Sequence, residues 1–193
     1  MNVTDPLLLT REQLLRLLGE VGELLSARGL EGQLYVVGGA AMALVFDARR
    51  VTRDVDAAVP GDQAELWQAA QTVAAKHALP PDWLNTRASA FMTNQADVDA
   101  REISLPGLTV TVASADHLIA MKLRAMRDRD LADLDLLFRI AGIRSPQEAA
   151  AIHDRLFDES YIGTTNPDEA LYAAQLVFDR ARRNDRPIAP DEP

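Results

Sequence analysis

From Arg11 to about Ala27, leucines fall at positions 14, 15, 17, 18, 24 and 25 with Val21 between them, and Glu12, Arg16, Glu20 and Glu23 are interspersed. Apolar positions three and four apart predict an amphipathic helix. Thr10 offers an N-cap and Gly29 a stop. Gln33 to Val37 is short and β-rich, Gly38-Gly39 breaks it, and Ala40 to Phe46 reads as a short buried helix. Asp54 to Val59 reads as a second strand stopped by Pro60-Gly61. Asp62 to Ala78, rich in alanine and glutamine, is helical and ends before Pro80-Pro81. The next stretch, with Trp83 and Phe91, carries no period that assigns it. Arg101 to Leu105 and Leu108 to Ala113 flank Pro106-Gly107, a turn dipeptide, and predict a hairpin. Ser114 caps a helix running to about Arg127, which Asp130 to Ile140 continues or restarts. Pro146 to Phe157 and Pro167 to Arg182 are two more helices. The tail after Asn184 holds three prolines and is expected to be disordered.

This order is α/β over the first two-thirds and all-α at the end. The expected architecture is an α/β (α+β) core, a small mixed sheet flanked by helices, with a C-terminal helical portion. Residues 1–113 form the α/β core with its N-terminal helix, 114–184 the helical portion and 185–193 the tail.

Composition narrows the chemistry. The chain has 193 residues, 48% of them hydrophobic, and can bury a core without staples. It has no cysteine, which excludes disulfides and thiolate metal sites. His77, His117 and His153 lack partners at ligand spacing, which argues against structural zinc. No signal peptide is expected, because Met1 to Pro6 is polar and lacks a basic stretch before an apolar run, and no apolar run reaches the roughly 18 residues of a membrane span. A cytoplasmic protein with no membrane partner is expected. The net charge of −9 argues against broad non-specific binding to nucleic acid. It leaves room for a local basic groove, and two clusters qualify: Arg49, Arg50 and Arg53, and then Lys122, Arg124, Arg127 and Arg129.

The chemistry concentrates in Val36-Val37-Gly38-Gly39-Ala40-Ala41, Arg49 to Arg53, and Asp54-Val55-Asp56. Residues two apart on a strand share a face, so Asp54 and Asp56 point to one spot. Two bare carboxylates there repel, and a divalent cation removes the conflict. Mg²⁺ favours one or two carboxylates plus substrate phosphate oxygens. Gly38-Gly39, between a strand and a helix, lets backbone N–H groups approach a phosphate. Together these pieces form a metal–triphosphate cradle, the chemistry of phosphoryl or nucleotidyl transfer.

The segment resembles the signature of the DNA polymerase β-like nucleotidyltransferases, a Gly-Gly or Gly-Ser turn followed about a dozen or so residues later by two acids separated by one apolar residue. Thr52-Arg53-Asp54-Val55-Asp56 looks more specifically like the AbiEii and MenT type, toxins of bacterial toxin–antitoxin and phage-defence systems. Leu118-Ile119-Ala120-Met121-Lys122-Leu123-Arg124-Ala125, followed by Arg129-Asp130-Leu131-Ala132-Asp133-Leu134, resembles that group's lysine helix and Arg-Asp-x-x-Asp-Leu element. The resemblance spans roughly Leu34 to Phe138. It implies a nucleotidyltransferase that transfers NMP from an NTP to an acceptor, the tRNA 3′ end in the MenT group, with Mg²⁺ or Mn²⁺ and a cognate antitoxin partner. It implies Asp54 and Asp56 as metal ligands and, with Lys122 and Asp133, as catalytic residues. Gly38, Gly39, Thr52, Arg53 and Asp130 would bind the nucleotide.

On one straight helix Lys122 and Asp133 share a face but lie roughly 16 Å apart along the axis. They converge only if the helix breaks between them, and the polar run Arg127 to Asp130 is the place for it. One departure stands out. Many members of the superfamily carry a third carboxylate on a later strand, where Leu108 to Ala113 offers only Thr109 and Thr111. Asp97, Asp99 and Glu102 flank that strand, and Asp130 or Asp133 is the other substitute. His117, Trp67 and Trp83 read as structural. A protein or small-molecule acceptor, or an inactive nucleotidyltransferase-like binding protein, are the alternatives.

Overall fold

Thr10 opens the first helix as its residue type predicts. In the computed structural model, which describes residues 8–61, 63–157 and 167–184, its hydroxyl accepts from Gln13 N and the Gln13 side chain accepts from Thr10 N. Two orphan N–H groups are thereby satisfied. Helix α1 (Arg11–Ser26) buries Leu14, Leu17, Leu18, Val21 and Leu25, the predicted stripe. Gly29, with φ +70°, follows its end. The tail 185–193, expected to be disordered, lies outside the described residues.

The chain divides into two compact units, Met1–Ala90 with Asp97–Ser114, and Phe91–Ala96 with Ala115–Pro193. The first holds a five-stranded mixed sheet made of β1 (Gly32–Val36), β2 (Val55–Ala58), β3 (Leu84–Asn85), β4 (Arg101–Leu105) and β5 (Leu108–Val112). Its order is β3-β2-β1-β5-β4. Strand β1 pairs antiparallel with β2 and parallel with β5, while β2 runs parallel to β3 and β4 antiparallel to β5. The fold is the expected α/β class, with helices α1 and α3 (Ala64–Lys76) completing this unit.

Alternation sorts the sheet's two faces. Leu34, Val36, Val55, Ala57, Leu108, Val110 and Val112 are buried. The register places Tyr35 opposite both Ala58 and Thr111, so Tyr35, Asp56, Ala58, Thr109 and Thr111 share the other, partly exposed face. Gly22 explains how closely α1 approaches the hairpin: a Cβ there would lie 2.1 Å from Pro106 O, and one at Gly107 would lie 2.2 Å from Gly22 O.

Two expectations need correction, and one unassigned stretch is filled in. The second strand starts at Val55, so Asp54 sits in the bend before it and Val59 lies outside it. The helix after β1 starts earlier than Ala40. It opens as α2 (Gly38–Ala41), because Gly38 takes φ +63° and turns the chain at once, and continues as a π-helical turn over Met42–Phe46. The unassigned stretch holds β3 and a 3₁₀ turn, Arg87–Phe91, elements too short to show a period.

The second unit is helical: α4 (Ala115–Ala125), α5 (Leu131–Ala141), α6 (Pro146–Leu156) and α7 (Pro167–Asn184). Ser145 caps α6 by accepting from Glu148 N at 3.2 Å, with Pro146 in the first turn. Gly142, at φ 70°, terminates α5. Ala120, Leu156 and Phe157 form a core cluster with Ile152 packed on it, and Phe138 stacks on Phe178 at 5.6 Å. Among the described residues no helix is long and apolar enough to cross a membrane.

Candidate active site

In the first unit the fold draws the glycine pair against the residues that follow it. Val37 N donates to Asp56 O at 3.0 Å, tying the end of β1 to β2. A Cβ at Gly38 would stand 3.4 Å from Asp56 Oδ2, and one at Gly39 would come within 2.9 Å of Thr52 Oγ1. Gly38 also needs its positive φ, which side-chain-bearing residues rarely adopt. Glycine at both positions therefore brings the backbone directly onto Asp56 and Thr52. Thr52 is fixed in turn: its N and O pair with Leu9, and its hydroxyl donates to Asp54 O at 3.1 Å. Arg53 is exposed beside it.

Asp54 and Asp56, two positions apart, are both partly exposed. Asp54 has neighbours that sequence reasoning missed. Asn85 on β3 lies opposite Asp56 in register, and its Nδ2 contacts Asp54 Oδ2 at 3.5 Å. Arg87 Nη1 lies 3.7 Å from the same oxygen. An element of two residues gives no periodic signal, so nothing in the sequence flagged them.

The donor set fits a hard divalent cation. Asp56 stands against the Gly38 backbone and Asp54 lies two positions before it, in the bend ahead of β2; carboxylate donors of this kind would leave the remaining coordination to water and phosphate oxygens, as Mg²⁺ favours. Asp54 and Asp56 are the residues that would hold it. Among the described residues no group of three or more histidines, aspartates or glutamates converges on a cation position. Two of the three flanking acids are engaged otherwise. Asp97 Oδ2 accepts from Tyr35 Oη at 2.6 Å and from Ser114 N at 2.8 Å. Glu102 Oε1 accepts from Ser104 Oγ at 3.1 Å, and Asp99 is exposed.

In the second unit the helix breaks where Lys122 and Asp133 require it. Helix α4 ends at Ala125, Met126 takes φ +47°, and a 3₁₀ turn, Asp128–Asp130, leads into α5. Lys122 Nζ consequently reaches Asp130 Oδ1 at 2.6 Å and Asp133 Oδ2 at 2.9 Å. All three residues are buried. Asp130 opens α5 without a side-chain capping bond, because its carboxylate is turned to the lysine. Lys122, Asp130 and Asp133 thus form one buried cluster of two negative charges and one positive.

Other readings resolve as structural. Trp83 is buried and its Nε1 donates to Ala70 O at 3.0 Å. His117 is buried with Nε2 3.3 Å from Gln95 O.

A family model for nucleotidyltransferases of unknown function, DUF6036, matches residues 12–160. The chain belongs to this family. The match contains the glycine pair, Asp54 and Asp56 and the Lys122 cluster, so both blocks lie within a nucleotidyltransferase. No curated protein and no solved structure matches the chain.

Proposed function

We propose that this nucleotidyltransferase is metal-dependent and transfers a nucleoside monophosphate from a nucleoside triphosphate to the 3′ end of tRNA, as the toxin of a bacterial toxin–antitoxin pair. The apposition of Gly38 to Asp56 and Gly39 to Thr52 carries the transfer chemistry. It supports a backbone cradle for phosphates directly beside the Asp56 carboxylate and the Thr52 hydroxyl. The tRNA acceptor and the cognate antitoxin rest on the resemblance of both sequence blocks to the MenT type.

In this reading Asp54 and Asp56 would hold Mg²⁺ or Mn²⁺, which when bound supplies charge neutralisation at the triphosphate. The N–H groups of the Gly38-Gly39 turn bind phosphate oxygens. Thr52 and Arg53 orient the triphosphate, and Asp130 contributes to nucleotide binding. Lys122 has three N–H donors, two of them engaged by Asp130 and Asp133. By the resemblance, Lys122 would contact phosphate or the incoming nucleophile, and Asp130 or Asp133 would complete the site. The acceptor hydroxyl attacks the α-phosphorus: its oxygen forms the new P–O bond, its proton leaves to solvent, and pyrophosphate departs.

The acidic balance, −9 overall, favours a second acceptor class, a protein or a small molecule. Incubation with Mg²⁺, each labelled nucleoside triphosphate in turn and bulk tRNA separates the cases. Label is expected on tRNA, and Asp54→Ala is expected to abolish it. Label on protein or small molecule selects the second reading. Nucleotide binding without turnover would identify an inactive binding protein, and no binding at all would reject the cradle.

A further inference from the structure

Arg87 is an exposed arginine placed against a carboxylate that the proposed site needs for a cation. Its guanidinium lies between Asp54 Oδ2, 3.7 Å away, and Asp82 Oδ2, which accepts from Nη2. Its backbone is fixed, because Arg87 N donates to Asn85 Oδ1 at 2.9 Å, and Asn85 Nδ2 contacts both Asp54 Oδ2 and Asp82 O. Asn85 is 8% exposed and lies opposite Asp56. The root of the arginine is therefore anchored in the sheet while its side chain, 64% exposed, stays in solvent. Exposed ion pairs are weak and easily exchanged.

We propose that Arg87 is a cation-exchange clamp: it neutralises Asp54 in the metal-free protein, and turns to the triphosphate when a divalent cation takes that carboxylate. The inference rests on the reading of Asp54 and Asp56 as metal ligands. Its physical basis is competition. A guanidinium and a divalent cation cannot both satisfy one Asp54 oxygen without repelling each other. A displaced guanidinium on a fixed stem finds the phosphate oxygens that arrive with the metal, and its planar fork matches them. A purely structural role, bracing the turn after β3 through Asp82, needs neither event.

The two roles differ in sign. Arg87→Gln should tighten Mn²⁺ binding to the nucleotide-free protein roughly five-fold, since it removes a competing charge. The same change should weaken binding of a non-hydrolysable nucleoside triphosphate in saturating Mn²⁺ by about ten-fold or more, since a charge-assisted hydrogen bond is lost. Mn²⁺ occupancy is read by electron paramagnetic resonance and nucleotide binding by calorimetry, both without turnover. Arg28→Gln, which removes one positive charge in the exposed segment after α1, should move neither. Arg87→Lys keeps the competing charge and loses the fork, so it should leave Mn²⁺ binding near wild type and weaken the nucleotide. Losses of both affinities in Arg87→Gln, or no change in either, would overturn the clamp while leaving the metal site standing. If the wild-type chain binds neither Mn²⁺ nor nucleotide, the metal-site reading fails and the clamp with it.

Discussion

Lys122 is the residue whose surroundings are most demanding. Its side chain is 7% exposed and those of Asp130 and Asp133 are 12% and 5% exposed, so three charges are withdrawn from water together. Removing one partner of such a cluster strands the others. Lys122→Met should therefore cost about 3–5 kcal/mol in urea unfolding, and Asp130→Asn, which retains a polar partner and a neutral pair, distinctly less. A Lys122→Met protein as stable as wild type would show that the carboxylates are not held in a buried cluster. The residues of this cluster were marked by the resemblance of their two sequence blocks to a known group, and helix geometry added that they converge only if the helix breaks, for which the polar run is the place. Asn85 and Arg87 were not, because proximity to Asp54 comes from strand pairing between segments some thirty positions apart. Tyr35 illustrates the same blindness. Burial and the Asp97 carboxylate beside it push its phenol well above the ordinary range, yet the sequence presents it as one β-former among several.

At the scale of elements, α1 and α3 are joined by Glu20, whose carboxylate accepts from Lys76 Nζ and lies 2.9 Å from His77 Nε2. The hydrogen bond from Lys76, and then that from His77, hold Glu20 below the usual glutamate value. For an acid with a depressed folded-state value, the unfolded chain takes up the proton first as pH falls. The stabilisation from Glu20 is thus complete above about pH 4.3 and disappears as pH drops through the lower folded value. The difference in denaturation midpoint between wild type and Glu20→Gln should be constant near neutrality and shrink in this acidic window; a difference independent of pH would refute the assignment. The other fixed contact of α1 is steric. Gly22→Ala would push a methyl group into Pro106 O, and because both partners are backbone the cost should reach about 1–3 kcal/mol. Chemical denaturation would read this, and an unchanged midpoint would mean that α1 can lift from the hairpin freely. Most elements were legible because amphipathic period and turn residues agreed, as in α1, α6 and the β4–β5 hairpin. The π-helical turn was not, since Met42–Phe46 carries the same apolar signal as any buried helix.

For the whole molecule, the order of elements announced an α/β region followed by helices, and both are present. The pairing order within the sheet was not readable. Alternation says which face a residue takes, but not that β1, near the start of the unit, lies between β2 and β5. The net charge of −9 is likewise a property of the entire chain that says little about the site, where Arg87 lies 3.7 Å from Asp54 Oδ2. The two units also interlace along the chain. Phe91–Ala96 belongs with the helices although residues on both sides of it belong with the sheet; there Thr93 Oγ1 donates to Leu156 O and Arg127 lies over the Phe91 ring. During synthesis, β1 leaves the ribosome long before β5, its parallel partner, exists. The edge of the central strand that β5 occupies can therefore be closed by its own partner only once Leu108–Val112 has been made.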